Sequence, residues 1–212
     1  MMLSQLSAYL YVFDIGNGIK TEDCLRIAAT RFCETHHLFD GMQIPATCFS
    51  VAKTERGKPY FPNFRELHVS ITHSGAYCIC AIAGQNIGID LQEHSRLQRE
   101  TPDAAVLRFQ KLAKRFFSAK EAVFVSEEDT EHRFFDIWTA RESYVKYTGT
   151  GIDGGFGSLC LLPEDDILRT VPDRSKTLRW QSMGVSFVRI PFEAGYTLCV
   201  CTATPCEIVV VS

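Results

Sequence analysis

SITHSGAYCICAIAGQNIGIDLQEHS, residues 70–95, is a chain of short apolar runs broken by small polar residues. Runs of this length, bounded by Ser-Gly and Gly-Gln-Asn, read as strands. HVSIT (68–72) and YCICAIA (77–83) form an expected pair around Ser74-Gly75, and NIGIDLQ (86–92) is a third strand. Alternation puts Ile87, Ile89 and Leu91 on one face of that strand and Gly88, Asp90 and Gln92 on the other. A carboxylate inside an apolar strand is costly unless something pairs with it. His73 stands at the turn before YCICAIA, so the reading must say what Asp90 holds and whether His73 faces the same thing.

Working outward, SAYLYVFDI (7–15) reads as a strand. A helix follows, capped by Thr21 and running to about residue 37, with Leu25, Ala28, Ala29, Phe32 and Cys33 as its apolar stripe. TERGKPYFPN (54–63) is a loop. Downstream, 103–116 and 118–125 read as helices, the second opened by a Ser118/Glu121 capping box. FFDIWTARESYVKYTG (134–149) is the clearest helix, ended by Gly149, and TGTGIDGGFG (148–157) is a glycine-rich loop. SLCLL (158–162), VSFVRI (185–190), YTLCVC (196–201) and EIVVV (207–211) are expected strands. YLYVFDI with its helix and strands echoes NIGIDLQ with its helices and strands. The expectation is therefore an α+β protein of two related halves, 1–84 and 85–212, with a site between them.

Composition bounds the rest. The chain has 212 residues, 46% of them hydrophobic, which is ample for a packed core. A net charge of −3 gives no global attraction to nucleic acid. The opening MMLSQLSAYLYVFDIG lacks the basic stretch and cleavage site of a signal peptide, and no apolar run approaches a membrane span. Nine cysteines, an odd number with no CxxC pair, read as small buried hydrophobes of a reducing cytosol. The CxC pairs do not match structural zinc spacing.

In the helix 134–149, Phe134, Trp138, Arg141 and Val145 make a central stripe. Glu142 falls beside Trp138 and Phe135, and Lys146 follows one turn later. Glu142 and Lys146 are either an exposed pair, worth about 0.2–0.5 kcal/mol, or a half-buried carboxylate with its cation. Oxygens from Asp90, Gln92 and Glu142 would suit Mg²⁺ when substrate phosphates complete the shell. Lys58 in its Gly-Lys-Pro loop, Thr72, His73 and Lys146 would add a pyrophosphate site. The bland alternatives are a strand-end hydrogen bond for Asp90, a solvated Lys58 and a turn-capping His73.

Taken together, GKPYF (57–61), SITHS (70–74), IGIDLQ (87–92), AKRFFSAKE (113–121) and WTARESYVKYTGTGI (138–152) resemble, in order, the 4′-phosphopantetheinyl transferases of the surfactin-synthetase-activating (Sfp) type. The resemblance is strong over roughly 55–155 and loose elsewhere. It implies two pseudo-symmetric α+β halves with coenzyme A in the cleft between them. It implies Mg²⁺, or Mn²⁺ in its place, as cofactor, and transfer of the phosphopantetheine arm to a serine of an apo acyl or peptidyl carrier protein, releasing 3′,5′-adenosine bisphosphate. Asp90, Gln92 and Glu142 then correspond to metal ligands, with Glu142 also the base. Lys146 corresponds to a phosphate contact, and Lys58, Thr72 and His73 to coenzyme A contacts.

Two departures stand out. Gln92 occupies a position where many relatives carry Glu, and the part before GKP is short. Lys20, Arg26, Arg31, Lys53 and Arg56 are the candidates there for the 3′-phosphate, and Arg141 stands where a lysine is usual. Residues 96–120 are locally basic, through Arg96, Arg99, Arg108, Lys111, Lys114, Arg115 and Lys120, and match the family's carrier-docking region. Leu107, Phe109 and Leu112 are either apolar docking contacts or core. A cytoplasmic monomer acting on no nucleic acid and no membrane is the expected setting. A degenerate relative that binds coenzyme A or a carrier without transfer is the alternative, and an unrelated Mg²⁺-dependent phosphohydrolase a third reading.

Overall fold

A computed structural model describes residues 7–16, 18–38, 45–94, 100–151, 159–165, 167–170 and 173–211. The first part holds β1 (Ser7–Asp14), α1 (Thr21–Thr35), the two-residue strands β2 (Ala52–Lys53) and β3 (Pro59–Tyr60), β4 (His68–Ser74) and β5 (Tyr77–Ala83). Then come β6 (Ile87–Glu93), α2 (Pro102–Phe116), α3 (Ala119–Glu127), α4 (Thr130–Thr148) and α5 (Ile167–Thr170). The chain closes through β7 (Leu178–Ser182), β8 (Val185–Ile190), β9 (Tyr196–Thr202) and β10 (Glu207–Val211). The mixed α+β class expected from the sequence is observed.

Two four-stranded sheets carry the structure, in the orders β10-β1-β5-β4 and β6-β9-β8-β7. All their pairings are antiparallel except that of β1 with β10. Three apolar clusters follow from the alternation of the strands. One face of the first sheet packs on the stripe of α1, where Leu25, Ala28, Ala29, Phe32 and Cys33 are all buried as expected. Burying a side chain such as Phe32 contributes roughly 1.5–3 kcal/mol. One face of the second sheet packs on α2, α3 and α4. The third cluster is shared, with Leu10, Ile79 and Ala81 of the first sheet meeting Ile87, Ile89 and Leu91 of β6.

The seam between the sheets is made by side chains. Ser70, Thr72 and Ser74 of β4 accept from the amides of Ile89, Leu91 and Glu93 of β6, at 3.1, 3.1 and 2.9 Å. Both strands advance together, so β4 and β6 run parallel, joined by a ladder of hydroxyls. The β6 amides that face β4 are thereby satisfied.

The helices begin and end where local chemistry dictates. Ser118 caps α3 through the full capping box with Glu121. Thr101 caps α2, with Pro102 in its first turn. α4 starts at Thr130, one turn earlier than expected, and Gly149 ends it at φ 69°. α1 has no side-chain cap: Lys20 holds the N-cap position and Thr21 is already helical. The expected strand SLCLL is not formed among residues 159–162, and Ser158 lies outside the described residues. There the backbone is held by side chains instead, with Leu161 N–H donating to Glu121 and its carbonyl accepting from Trp180. LRWQS, not expected as a strand, is β7.

Candidate active site

A cleft of about 480 Å³ opens where the N-terminus of α1, strands β4 and β6, and helix α4 converge. Thr72, His73, Asp90, Gln92, Glu142 and Lys146 all line it. The fold brings these residues together from three segments far apart in sequence. Gly88 makes the approach of α4 possible. A Cβ built there would lie 2.0 Å from the Ser143 carbonyl oxygen and 2.3 Å from the Tyr147 nitrogen. Only a glycine lets the helix backbone settle on β6 at this point. That contact brings Glu142 and Lys146 to Asp90, one residue pair further along the strand.

Asp90 is 2% exposed. Lys146 Nζ donates to its Oδ1 at 2.7 Å, Thr72 Oγ1 to the same oxygen at 3.1 Å, and Gln92 Nε2 to Oδ2 at 3.2 Å. Burial raises the proton affinity of Asp90, and the Lys146 ammonium works against that rise. Glu142 is also raised, first by burial and then by the Asp90 charge, with Lys146 again opposing. Two carboxylates thus share one lysine in a half-dry cleft. Asp90 therefore holds Lys146, and exposed His73 lines the same cleft. Trp138 closes one side, its ring stacked on Phe134 at 5.8 Å.

Thr72, expected as a coenzyme A contact, lines the cleft with its hydroxyl turned to Asp90. Its buried hydroxyl donates its proton to Asp90 and accepts from Leu91 N–H, so it orients the carboxylate and spends its donor within the protein. Thr72→Val keeps the shape and removes both bonds. The expected loss is about 1–3 kcal/mol of stability, read from the denaturant midpoint.

Lys58, expected from GKP as a coenzyme A contact, has its ammonium outside the walls of this cleft. Gly57 and Pro59 on either side of it do line the cleft. Its ammonium donates to Asn86 Oδ1 at 2.6 Å, the Tyr147 carbonyl at 2.7 Å and the Ile87 carbonyl at 3.3 Å. All three of its donors are engaged inside the protein. Arg141 likewise faces inward. It is fully buried, paired with Glu121 and set over the Phe117 ring. The Glu121 of FSAKE is therefore a structural partner that caps α3 and neutralises Arg141.

Of the five basic candidates in the first part, Lys53 alone lines the cleft, beside Glu22 at 3.3 Å. Arg26 bonds Asp23 and the Phe49 carbonyl, Arg31 lies over Phe13, and Arg56 donates to the Thr150 carbonyl. Lys20 is an exposed residue just ahead of α1. A larger cavity, about 630 Å³, lies between α3 and residues 160–165 and 168–169, with Lys120, Glu164, Asp165 and Arg169 among its walls.

Among the described residues, no group of three or more His, Cys, Asp or Glu is built to hold a metal. What the cleft offers around Lys146 is the two carboxylates of Asp90 and Glu142 and the Gln92 amide. This all-oxygen set fits a hard divalent cation that takes its remaining ligands from phosphate and water. Burial raises the proton affinity of Asp90, and burial together with the Asp90 charge raises that of Glu142, which marks a place where added positive charge is favoured. All nine cysteines are free and seven are buried. No described helix is long and apolar enough to cross a membrane.

Fold and site define an α+β protein whose cleft between two sheets carries an acidic oxygen set with the lysines Lys53 and Lys146, a design suited to phosphorylated ligands. The profile of the 4′-phosphopantetheinyl transferase superfamily matches residues 86–201, over half of the chain, and the chain belongs to that superfamily. The 4′-phosphopantetheinyl transferase Sfp of Bacillus subtilis (strain 168) is 29% identical over 156 residues, 71% of this chain and 62% of that protein. The 4′-phosphopantetheinyl transferase HetI of Nostoc sp. (strain PCC 7120) is 36% identical over 104 residues, 46% and 40% of the two chains. The L-aminoadipate-semialdehyde dehydrogenase-phosphopantetheinyl transferase of Xenopus laevis is 24% identical over 152 residues, 65% and 48%. The matched part of this chain spans 62% or less of the length of these relatives.

Proposed function

We propose that this chain transfers the 4′-phosphopantetheine arm of coenzyme A to a serine of an apo acyl or peptidyl carrier protein. The observation that carries the reading is the meeting of Asp90, Glu142 and Lys146 in one cleft, inside the span that matches the superfamily. The serine oxygen forms a bond to the β-phosphorus, the bond to the adenosine bisphosphate breaks, and 3′,5′-adenosine bisphosphate leaves with the electron pair. Glu142 takes the serine proton, directly or through a water. Asp90, Gln92 and Glu142 would hold Mg²⁺, or Mn²⁺, which when bound neutralises charge on the pyrophosphate. Lys146 trades part of its contact with Asp90 for a phosphate oxygen, His73 contacts the pyrophosphate from β4, and Lys53 is the residue placed for the 3′-phosphate.

Gln92 gives the metal set one negative charge fewer than a glutamate would. Gln92→Glu is expected to lower the Mg²⁺ concentration for half-maximal rate several-fold, as added ligand charge tightens oxygen sites. An unchanged Mg²⁺ titration would place Gln92 outside the metal's reach.

The chain is read as two pseudo-symmetric halves, 1–84 and 85–212. The order β1-β5-β4 of the first sheet has its counterpart in β6-β9-β8 of the second, which supports this reading. The final strand β10 crosses back to pair with β1. The proposed carrier-docking face is α2 and the start of α3. Leu107 on it is 57% exposed, whereas Phe109 is buried and Leu112 packs on the core. Lys111, Lys114, Arg115 and Lys120 are exposed there, while Arg96 and Arg99 lie outside the described residues. The proposed setting is a cytoplasmic monomer, and free, buried thiols agree with a reducing compartment.

Release of 3′,5′-adenosine bisphosphate from coenzyme A tests the reading, followed chromatographically with and without apo carrier. Release that requires both carrier and Mg²⁺ supports transfer. Tight coenzyme A binding without release favours a binding-only relative. Release without carrier favours a phosphohydrolase.

A further inference from the structure

We infer that Lys58 is a positioning residue, a tie that holds the last turn of α4 to the start of β6 instead of a ligand for the co-substrate's phosphates. The tie is a closed knot of three partners. Lys58 Nζ reaches Asn86 Oδ1, the Tyr147 carbonyl and the Ile87 carbonyl at 2.6, 2.7 and 3.3 Å. Asn86 Nδ2 donates to the same Tyr147 carbonyl at 2.8 Å, and Asn86 Oδ1 accepts from Ile87 N–H at 3.1 Å. Tyr147 carries one of the final carbonyls of α4, which have no partner within a helix. A cation there also meets the negative end of the helix dipole.

The stem of Lys58 lies against the glycine that ends the helix, since a Cβ at Gly149 would sit 3.3 Å from Lys58 Cδ. Burial pushes the ammonium down to about 8, which suits a group enclosed by protein acceptors more than one offered to solvent. Tyr147 adjoins Lys146, and Ile87 lies three residues before Asp90. The knot thus fixes both elements that carry the Asp90–Lys146 pair. The bland reading, a solvated lysine, does not survive three internal acceptors.

The kinetic part of the test rests on the transfer reading above, and the exchange part does not. Lys58→Met, Asn86→Ala and the double variant are compared with the wild-type chain. Amide hydrogen exchange is measured over residues 145–149, coenzyme A affinity by calorimetry, and kcat for transfer to an apo carrier. Each single variant is expected to speed exchange in that turn by roughly 10-fold or more, the worth of a hydrogen bond to a charged group. kcat should fall by a similar factor while coenzyme A affinity stays within about threefold, and the double variant should be little worse than Lys58→Met, because the two residues act as one unit.

Unchanged exchange in both variants, or a coenzyme A affinity loss above about 10-fold in Lys58→Met with Asn86→Ala silent, would overturn the tie and restore a phosphate contact. Asn86→Ala keeps every charge and decides the matter alone should Lys58→Met fail to fold. A wild-type chain that transfers nothing would refute the transfer reading, and the exchange result would still decide the tie.

Discussion

Gly88→Ala is expected to destabilise the protein by at least ~4 kcal/mol, an exceptional cost for one methyl group. The reason is steric and local. The added Cβ would lie 2.0 Å from the Ser143 carbonyl oxygen, 2.3 Å from the Tyr147 nitrogen and 2.9 Å from the Tyr147 Cα. All three are backbone atoms of α4, so no side chain can swing aside. The helix must lift from β6 by an ångström or more, and the Asp90–Lys146 contact at 2.7 Å opens with it. Urea unfolding followed by circular dichroism measures the first effect. A variant within about 1 kcal/mol of wild type would show that α4 does not seat on β6 as described.

Glu142→Gln is expected to lower transfer by roughly 10²–10⁴-fold, the usual span for removing a positioned base. Stability should move the other way. Burial and the Asp90 charge raise the proton affinity of Glu142 in the folded state. The folded protein then binds more protons than the unfolded chain between the ordinary carboxylate value and the raised one. Stability from this group is present below that window and lost as pH rises through it. At neutral pH the Gln variant, which carries no charge to bury, should melt at the wild-type temperature or a few degrees above it. Transfer at wild-type rate in the variant would remove Glu142 from the proton path.

Much of this was legible in the sequence, and the reasons are physical. Strict alternation in IGIDLQ settles that Asp90 faces away from Ile89 and Leu91, and the structure has that arrangement. Helical spacing settles that Glu142 and Lys146 share a flank. The stripe of α1 and the capping box of α3 are local patterns, and both are observed.

What periodicity does not reveal is which neighbour a side chain meets across the fold. Lys58 and Thr72 carry the right chemistry for a phosphate, yet their donors end on Tyr147, Asn86, Ile87 and Asp90. Arg141 shares the helix with Glu142 and still points to Glu121. The hydroxyls of Ser70, Thr72 and Ser74, each two residues apart, were the available sign of a strand edge bonded through side chains. β7 is a weak signal because five residues give only a short alternation, Leu178 and Trp180 inward against Arg179 and Gln181 outward.

The most direct measurement is the intact mass of an apo acyl carrier protein, and then of an apo peptidyl carrier protein, after incubation with this chain, coenzyme A and Mg²⁺. A gain of one phosphopantetheine arm, absent with EDTA and lost in Asp90→Asn and Glu142→Gln, is the result expected of a cleft in which Asp90, Glu142 and Lys146 perform the transfer. No gain on either carrier, with coenzyme A still bound, would contradict it.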